Sequence, residues 1–209
     1  MDTTLQLHIG LPEGCQEAAA KLYYTAFRQK LHPIFRDESK GLAVLERSLS
    51  PACAIAALIG DKLVGVAGFK TMDSSFVDIR PATMTRTFGY VGGWIRLLAL
   101  SLFSRNAEPR VLLMDGIVVD PQSRSMGVGS QLLDAVVELA KQRGYEQVRL
   151  DVVDTNPRAR SLYERKGFVA AQTKRYPGLV HVFGFSASTT LFKSVHANPT
   201  ARTPEHSPT

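Results

Sequence analysis

The stretch RSMGVGSQLL, residues 124–133, sets Gly127 and Gly129 one residue apart at the point where an apolar helical pattern begins. Upstream, RVLLMDGIVV reads as a strand closed by Asp120-Pro121. Downstream, GSQLLDAVVELAKQ reads as an amphipathic helix that stops at Arg143-Gly144, with a basic last turn and a glycine. The unit is strand, loop, helix. The first N–H groups of a helix have no intrahelical acceptor, and the helix dipole makes them attractive to anions. Glycines at that place remove side chains that would hold a phosphate away from the main chain. Arg124 adds a positive charge. A dinucleotide fingerprint needs a third glycine, and Leu132 stands there; the Gly-Lys-Ser/Thr of a Walker loop is absent. A Gly-x-Gly pair also serves close helix–strand packing, so the flanking residues carry the decision.

Working outward, TTLQLHI alternates as a first strand, and CQEAAAKLYYTAFRQKL reads as one helix with Ala19, Leu22, Tyr23, Ala26 and Phe27 at helical spacing. ESKGLAVLERSL predicts a second helix that stops before Pro51. ACAIAALI and KLVGVAGFK predict a hairpin across Gly60-Asp61. Beyond the central unit come a strand, QVRLDVV, and a short helix, PRARSLYERK, ended by Gly167. FVAAQTKRY and VHVFGFSASTTLF predict two closing strands around Pro177-Gly178. Strands and helices alternate in part while hairpins occur at both ends, which predicts a mixed α/β sheet. No internal repeat is present.

Residues 71–109 form an unusual section. Within it, WIRLLALSLF (residues 94–103) puts Trp94, Leu97, Leu98 and Leu102 on one helical face, with Ile95, Leu100 and Phe103 making it apolar nearly all round. Such a helix is expected to be buried, first in the core. An acceptor-pocket wall or a homodimer surface comes next, and membrane association last. It is too short to span a bilayer and contains Arg96, so no stable membrane insertion is expected. The tail HANPTARTPEHSPT is poor in apolar groups, and residues 196–209 are expected to be disordered.

The net charge of +6 suits an anionic ligand. No zinc-finger spacing and no basic run with interleaved aromatics is present, so nucleic acid is not an expected partner. Cys15 and Cys53 form neither a CxxC pair nor a ligand cluster, and no metal is expected. The first residues lack the order of a signal peptide, which predicts a cytoplasmic protein.

Arg124-x-x-Gly127-x-Gly129, preceded by GIVVDPQS, resembles the acyl-CoA-binding motif Q/R-x-x-G-x-G/A of the GNAT N-acetyltransferase superfamily. LDVVDTNPRARSLYERKGF is similar to that superfamily's Asn…Leu-Tyr…Gly-Phe signature. The order of elements is similar as well. The clear likeness spans residues 111–168; the first half matches in order of elements only. Local spacing most resembles the ribosomal-protein alanine N-acetyltransferase branch.

The resemblance implies a fold and a chemistry. The fold would be a central, mostly antiparallel sheet with a splayed central strand pair and flanking helices. One domain would cover residues 1–195, with 71–109 as an insertion. The chemistry would be transfer of acetyl from acetyl-CoA to a primary amine, by direct attack in a ternary complex. Ile117, Val118 and Val119 would lie along the pantetheine arm, with the Val119 N–H donating to the thioester oxygen. Arg124, Ser125, Met126, Gly127, Val128, Gly129 and Ser130 would hold the pyrophosphate. Asn156 would touch the arm; before Pro157 it is also a good helix N-cap. Gly116 would mark a bulge beside the arm.

Tyr163 is the implied general acid, since a phenol can protonate the departing thiolate; an ordinary packed aromatic is its plainer reading. Asp151 stands where the branch carries a glutamate proposed as general base. Its shorter side chain favours a bridging water, and a solvated strand carboxylate is the bland alternative. Asp115 interrupts an apolar strand and is the other candidate base. His181 lies near the closing hairpin, where acceptors can enter. The acceptor stays open among a protein N-terminus, a lysine, a polyamine and an amino sugar. A non-catalytic acyl-CoA-binding or sensor module is the second reading.

Overall fold

A computed structural model describes residues 4–178 and 180–195. Runs of aliphatic residues bounded by glycine and proline become strands, and 3.6-periodic stretches become helices. In chain order the elements are β1 (Leu5–Ile9), α1 (Gln16–Ala26), α2 (Arg28–Phe35), α3 (Glu38–Ser48), β2 (Ala54–Ile59), β3 (Lys62–Lys70), α4 (Pro81–Phe88) and α5 (Tyr90–Ser101). Then follow β4 (Val111–Val119), α6 (Val128–Gln142), β5 (Gln147–Val153), α7 (Pro157–Arg165), β6 (Val169–Arg175), α8 (Val180–Phe183) and β7 (Ala187–Ser194).

The seven strands form one sheet in the order β1-β2-β3-β4-β5-β7-β6. Every neighbouring pair is antiparallel except β4–β5, which α6 connects as a parallel crossover. The fold is thus mixed α/β with a mostly antiparallel sheet, as expected. Helix α6 covers one face, where Val128 and Leu132 reach so close to β3 that a Cβ on Gly65 would meet both at 3.0 Å. Helices α1 and α3 lie on the other face, with the buried rings of Tyr24, Phe35 and Phe76 among the core residues.

The central pair is splayed. β4 pairs with β5 only from Val111–Leu113 against Gln147–Arg149. Phe69 faces Met114 and Gly68 faces Gly116, which leaves Asp115 as the extra residue of a bulge on β4. Such a bulge bends its strand. A Cβ on Gly116 would stand 2.5 Å from Phe27 Cζ, so the glycine admits that ring at the start of the divergence.

Three local expectations are corrected. The single helix over residues 15–31 is two helices, broken at Phe27 (φ −105°, ψ 17°) where its ring seats against Gly116; α2 then runs through Pro33 to Phe35. The strand expected from Val180 begins only at Ala187. Val180–Phe183 is one helical turn, because Phe183 and Phe185 fold inward onto Ile34, with Phe103 edge-on to Phe183 at 4.8 Å.

The third correction concerns α5, whose apolar residues are not buried. Tyr90, Val91, Trp94, Ile95, Leu98 and Leu102 are exposed, and Leu98 is 71% accessible. The inward side is made of Gly93, which is buried, with Leu97 and Leu100 half-buried. A Cβ on Gly93 would sit 2.8 Å from the Thr85 backbone, so a glycine sets the contact with α4 and leaves the large side chains outside. No described helix is long and apolar enough to cross a membrane. The tail expected to be disordered lies outside the described residues.

Candidate active site

Backbone groups in an antiparallel pair point alternately toward and away from the partner strand. The Asp120 N–H donates to Val64 O at 2.9 Å, and the register places Val66 opposite Val118. The main-chain groups of Val118 and Asp120 therefore face β3. Those of Ile117 and Val119 face the gap where β5 has moved away. The gap offers main-chain donors and acceptors along its wall, while the Val118 side chain is buried.

At the end of β4, Asp120 caps a short turn, accepting from the Gln122 N–H at 3.3 Å, and pairs with Lys62 at 2.7 Å. These contacts hold the Asp120 carboxyl below the usual range, through the Lys62 hydrogen bond first. Arg124, Ser125 and Met126 are exposed, and Ser125 has φ 68°. Gly127 (φ 78°) precedes α6, and no side chain caps the helix. The N–H groups of Val128, Gly129 and Ser130 are thus the unpaired first turn. A Cβ on Gly129 would meet only Val119 Cγ2 at 3.6 Å and Leu162 Cδ2 at 3.8 Å, which are ordinary contacts. Packing therefore does not require that glycine. The residues fit an acyl-CoA: anion donors at the helix start, then free main-chain groups leading into the sheet.

The gap opens into a cavity of about 880 Å³, lined among others by Phe27, Asp115, Ile117, Asp151, Asn156 and Tyr163. Asn156 caps α7, its Oδ1 accepting from the Ala159 N–H at 3.1 Å. Tyr163 is buried, and burial pushes its phenol up to about 12, with Arg105 opposing. It keeps its proton at neutral pH.

Arg105 spans the two diverging strands. It donates to Asp151 Oδ2 at 3.3 Å, to Asp115 O at 3.2 Å and to Asp115 Oδ1 at 3.4 Å. Ser75 Oγ also donates to Asp115 Oδ2 at 3.1 Å. Burial pushes the Asp115 carboxyl up, and Arg105 and Ser75 pull against it. Asp151 Oδ1 is buried without a hydrogen-bond partner. Neither carboxylate is a solvated surface group: their side chains are 13% and 15% exposed.

The sequence profile of the acetyltransferase (GNAT) family matches residues 15–168. The chain belongs to that family. It is 35% identical over 72 residues to a protein named probable N-acetyltransferase camello from Xenopus tropicalis, covering 34% of this chain and 33% of that protein. It is 40% identical over 58 residues to the thialysine N-epsilon-acetyltransferase of Bos taurus, covering 28% and 34%. The matches thus span about a third of the length of these curated relatives. Among solved structures, one described as an acetyltransferase superposes with a TM-score of 0.63 at 20% identity, over 91% of this chain and 100% of the other. The ribosomal-protein-S18-alanine N-acetyltransferase of Escherichia coli gives 0.51 at 16% identity, over 96% and 99%. At these identities the structural likeness speaks for the fold.

In this GNAT chain the candidate residues divide into two groups. Asp115, Ile117, Asp151, Asn156 and Tyr163 line one cavity, while Val118 and Val119 at the end of β4 and residues 124–130 at the α6 start lie outside it. His181 is exposed on α8 and does not line the cavity. Arg105 and Lys30, a residue of α2, escaped sequence reasoning although both line the cavity. The signal for Arg105 was indirect: Asp115, a carboxylate inside an apolar strand, needs a cation.

Proposed function

We propose that this protein is an acetyl-CoA-dependent N-acetyltransferase acting on a primary amine by direct attack in a ternary complex. One observation carries the reading. The free main-chain groups of Ile117 and Val119 face the gap between β4 and β5, Ile117 lines the same cavity as Tyr163, and β4 ends at the turn that leads into the uncapped start of α6. Charge-assisted hydrogen bonds contribute roughly 1.5–3 kcal/mol each, so a few at the diphosphate supply much of the roughly 8 kcal/mol of micromolar binding. The Val119 N–H is assigned to the thioester oxygen, where negative charge develops.

The amine nitrogen attacks the thioester carbonyl carbon. A C–N bond forms, the C–S bond breaks, and the sulfur leaves as a thiolate. Tyr163 gives its proton to that thiolate, and its phenolate takes a proton back from solvent before the next turnover. The amine proton passes through water to the Asp115–Arg105–Asp151 group. There Asp115, raised by burial, is the more basic choice than an ordinary carboxylate, and Arg105 limits its basicity. Membership of the ribosomal-protein alanine branch would make a peptide N-terminus the acceptor, and the named bovine relative acts on thialysine; both classes belong in the acceptor screen.

The test follows thiol release from acetyl-CoA with a panel of amines. The reading expects amine-dependent release, and a loss of about 10²-fold or more in Tyr163→Phe with acetyl-CoA binding retained. Binding of acetyl-CoA without release for any amine would instead support a sensor module.

A further inference from the structure

Lys30 sits on α2 inside the cavity, above the rings of Phe103 and Phe185, with Nζ 5.5 and 5.2 Å from their centroids. No described carboxylate lies within ion-pair distance of it. Every acidic residue of the cavity already has a cation. Arg105 holds both Asp115 and Asp151, and Arg149 holds Glu108 at 2.5 Å. The cavity lining contains Lys30, Lys70, Arg105, Arg149 and Lys174 against Glu108, Asp115 and Asp151, a surplus of two positive charges. Lys70 is engaged by the Arg105 carbonyl at 3.0 Å, and exposed Lys174 lies over Tyr176 at 5.4 Å. Lys30 is the sheltered cation without an anion.

Burial pushes the Lys30 ammonium down to about 8, Arg105 adds to this, and Asp151 opposes it. It is still mostly charged at neutral pH. A sheltered, unpaired charge is unfavourable, and a ligand that brings an anion relieves it. The coenzyme diphosphate is not that anion, because no residue of the 124–130 loop lines this cavity.

We infer that the amine acceptor carries a carboxylate, and that Lys30 receives it while the amine faces the thioester. This rests on the transferase reading above and names the acceptor class for it. The carboxylate can belong to a free amino acid or to an acidic residue following a peptide N-terminus, and the two sources are separated by experiment.

Steady-state acetylation would be measured for free amino acids and their primary amides. A parallel set would use short peptides with Glu or Gln in second position. The expected result in one of the two sets is a kcat/KM at least about tenfold higher for the carboxylate member, carried by KM. Lys30→Gln should bring that ratio close to one, and Lys30→Arg should keep most of it. Acetyl-CoA titration of each variant checks the fold. A structural role for Lys30 would lower both members of a pair alike and keep the ratio. A ratio near one in the natural protein, or one that survives Lys30→Gln, overturns the inference and leaves the transferase reading standing. Acetyl-CoA binding with no amine accepted overturns both.

Discussion

Arg105 is the residue on which the site geometry turns. It joins β4 to β5 after their own hydrogen bonds have ended, through one guanidinium and two carboxylates. Replacing it by methionine leaves both carboxylates sheltered without their cation, with only the Ser75 hydrogen bond left on Asp115. Urea unfolding should show a loss of about 2–4 kcal/mol, less than for a fully buried pair because the three side chains keep some water contact. A change under about 0.5 kcal/mol would contradict the bridging role. Lys30 predicts the opposite sign. Its ammonium titrates at about 8 in the fold against 10.5 for a free lysine. Between those values the unfolded chain binds more protons, so stability rises with pH across the window and the penalty is complete below it. Lys30→Met should therefore stabilise the ligand-free protein at pH 7, by up to about 3 kcal/mol, with the gain fading toward pH 10.5. Thermal unfolding across that range checks it, and a pH-independent difference would contradict it. Asp115 was legible in the sequence because a carboxylate inside LLMDGIVV demands a reason. Arg105 was not: its partners stand 10 and 46 residues away, and nothing in SRNAEP has a period.

At the scale of elements, α5 shows why an apolar pattern is not a burial map. Counting hydrophobic residues favours burial in the core, with a pocket wall or a dimer surface next; Leu97, Leu100 and Phe103 do line the cavity. The contact with α4 instead uses Gly93, whose missing Cβ lets two backbones approach, and the large side chains stay outward. Gly93→Ala should cost about 1–3 kcal/mol, since backbone rather than a flexible side chain meets the new methyl. Leu98→Gln, at a position 71% exposed, should change stability by less than about 0.5 kcal/mol. Denaturant midpoints of the two variants decide it, and a costly Leu98→Gln would show that this face is covered. The end of β4 and the start of α6 were readable because turn and cap chemistry is local. The break at Phe27 and the turn at Val180–Phe183 were not, because aromatic packing across the fold sets both.

For the whole molecule, the sheet follows from strands that local sequence marks well. Its splay does not. No periodicity announces that β4 and β5 will part after three residue pairs; the sequence hinted at it only through Gly116 and the family resemblance. The parting is a tertiary outcome of the Asp115 bulge, the Phe27 ring over Gly116 and the Arg105 bridge. Its consequence is a gap beside β4 that opens into the Tyr163 cavity, with the α6 start beyond the far end of the same strand. Anchoring at the α6 start is the claim that everything else needs. Calorimetric titration with acetyl-CoA and, separately, with S-acetylpantetheine, which carries the same thioester and no diphosphate, tests it most directly. Binding of acetyl-CoA is expected in the range of about 1–100 µM, with a weakening of about 100-fold or more for the truncated thioester. Equal affinities for the two, or no heat from acetyl-CoA at millimolar concentration, would contradict it.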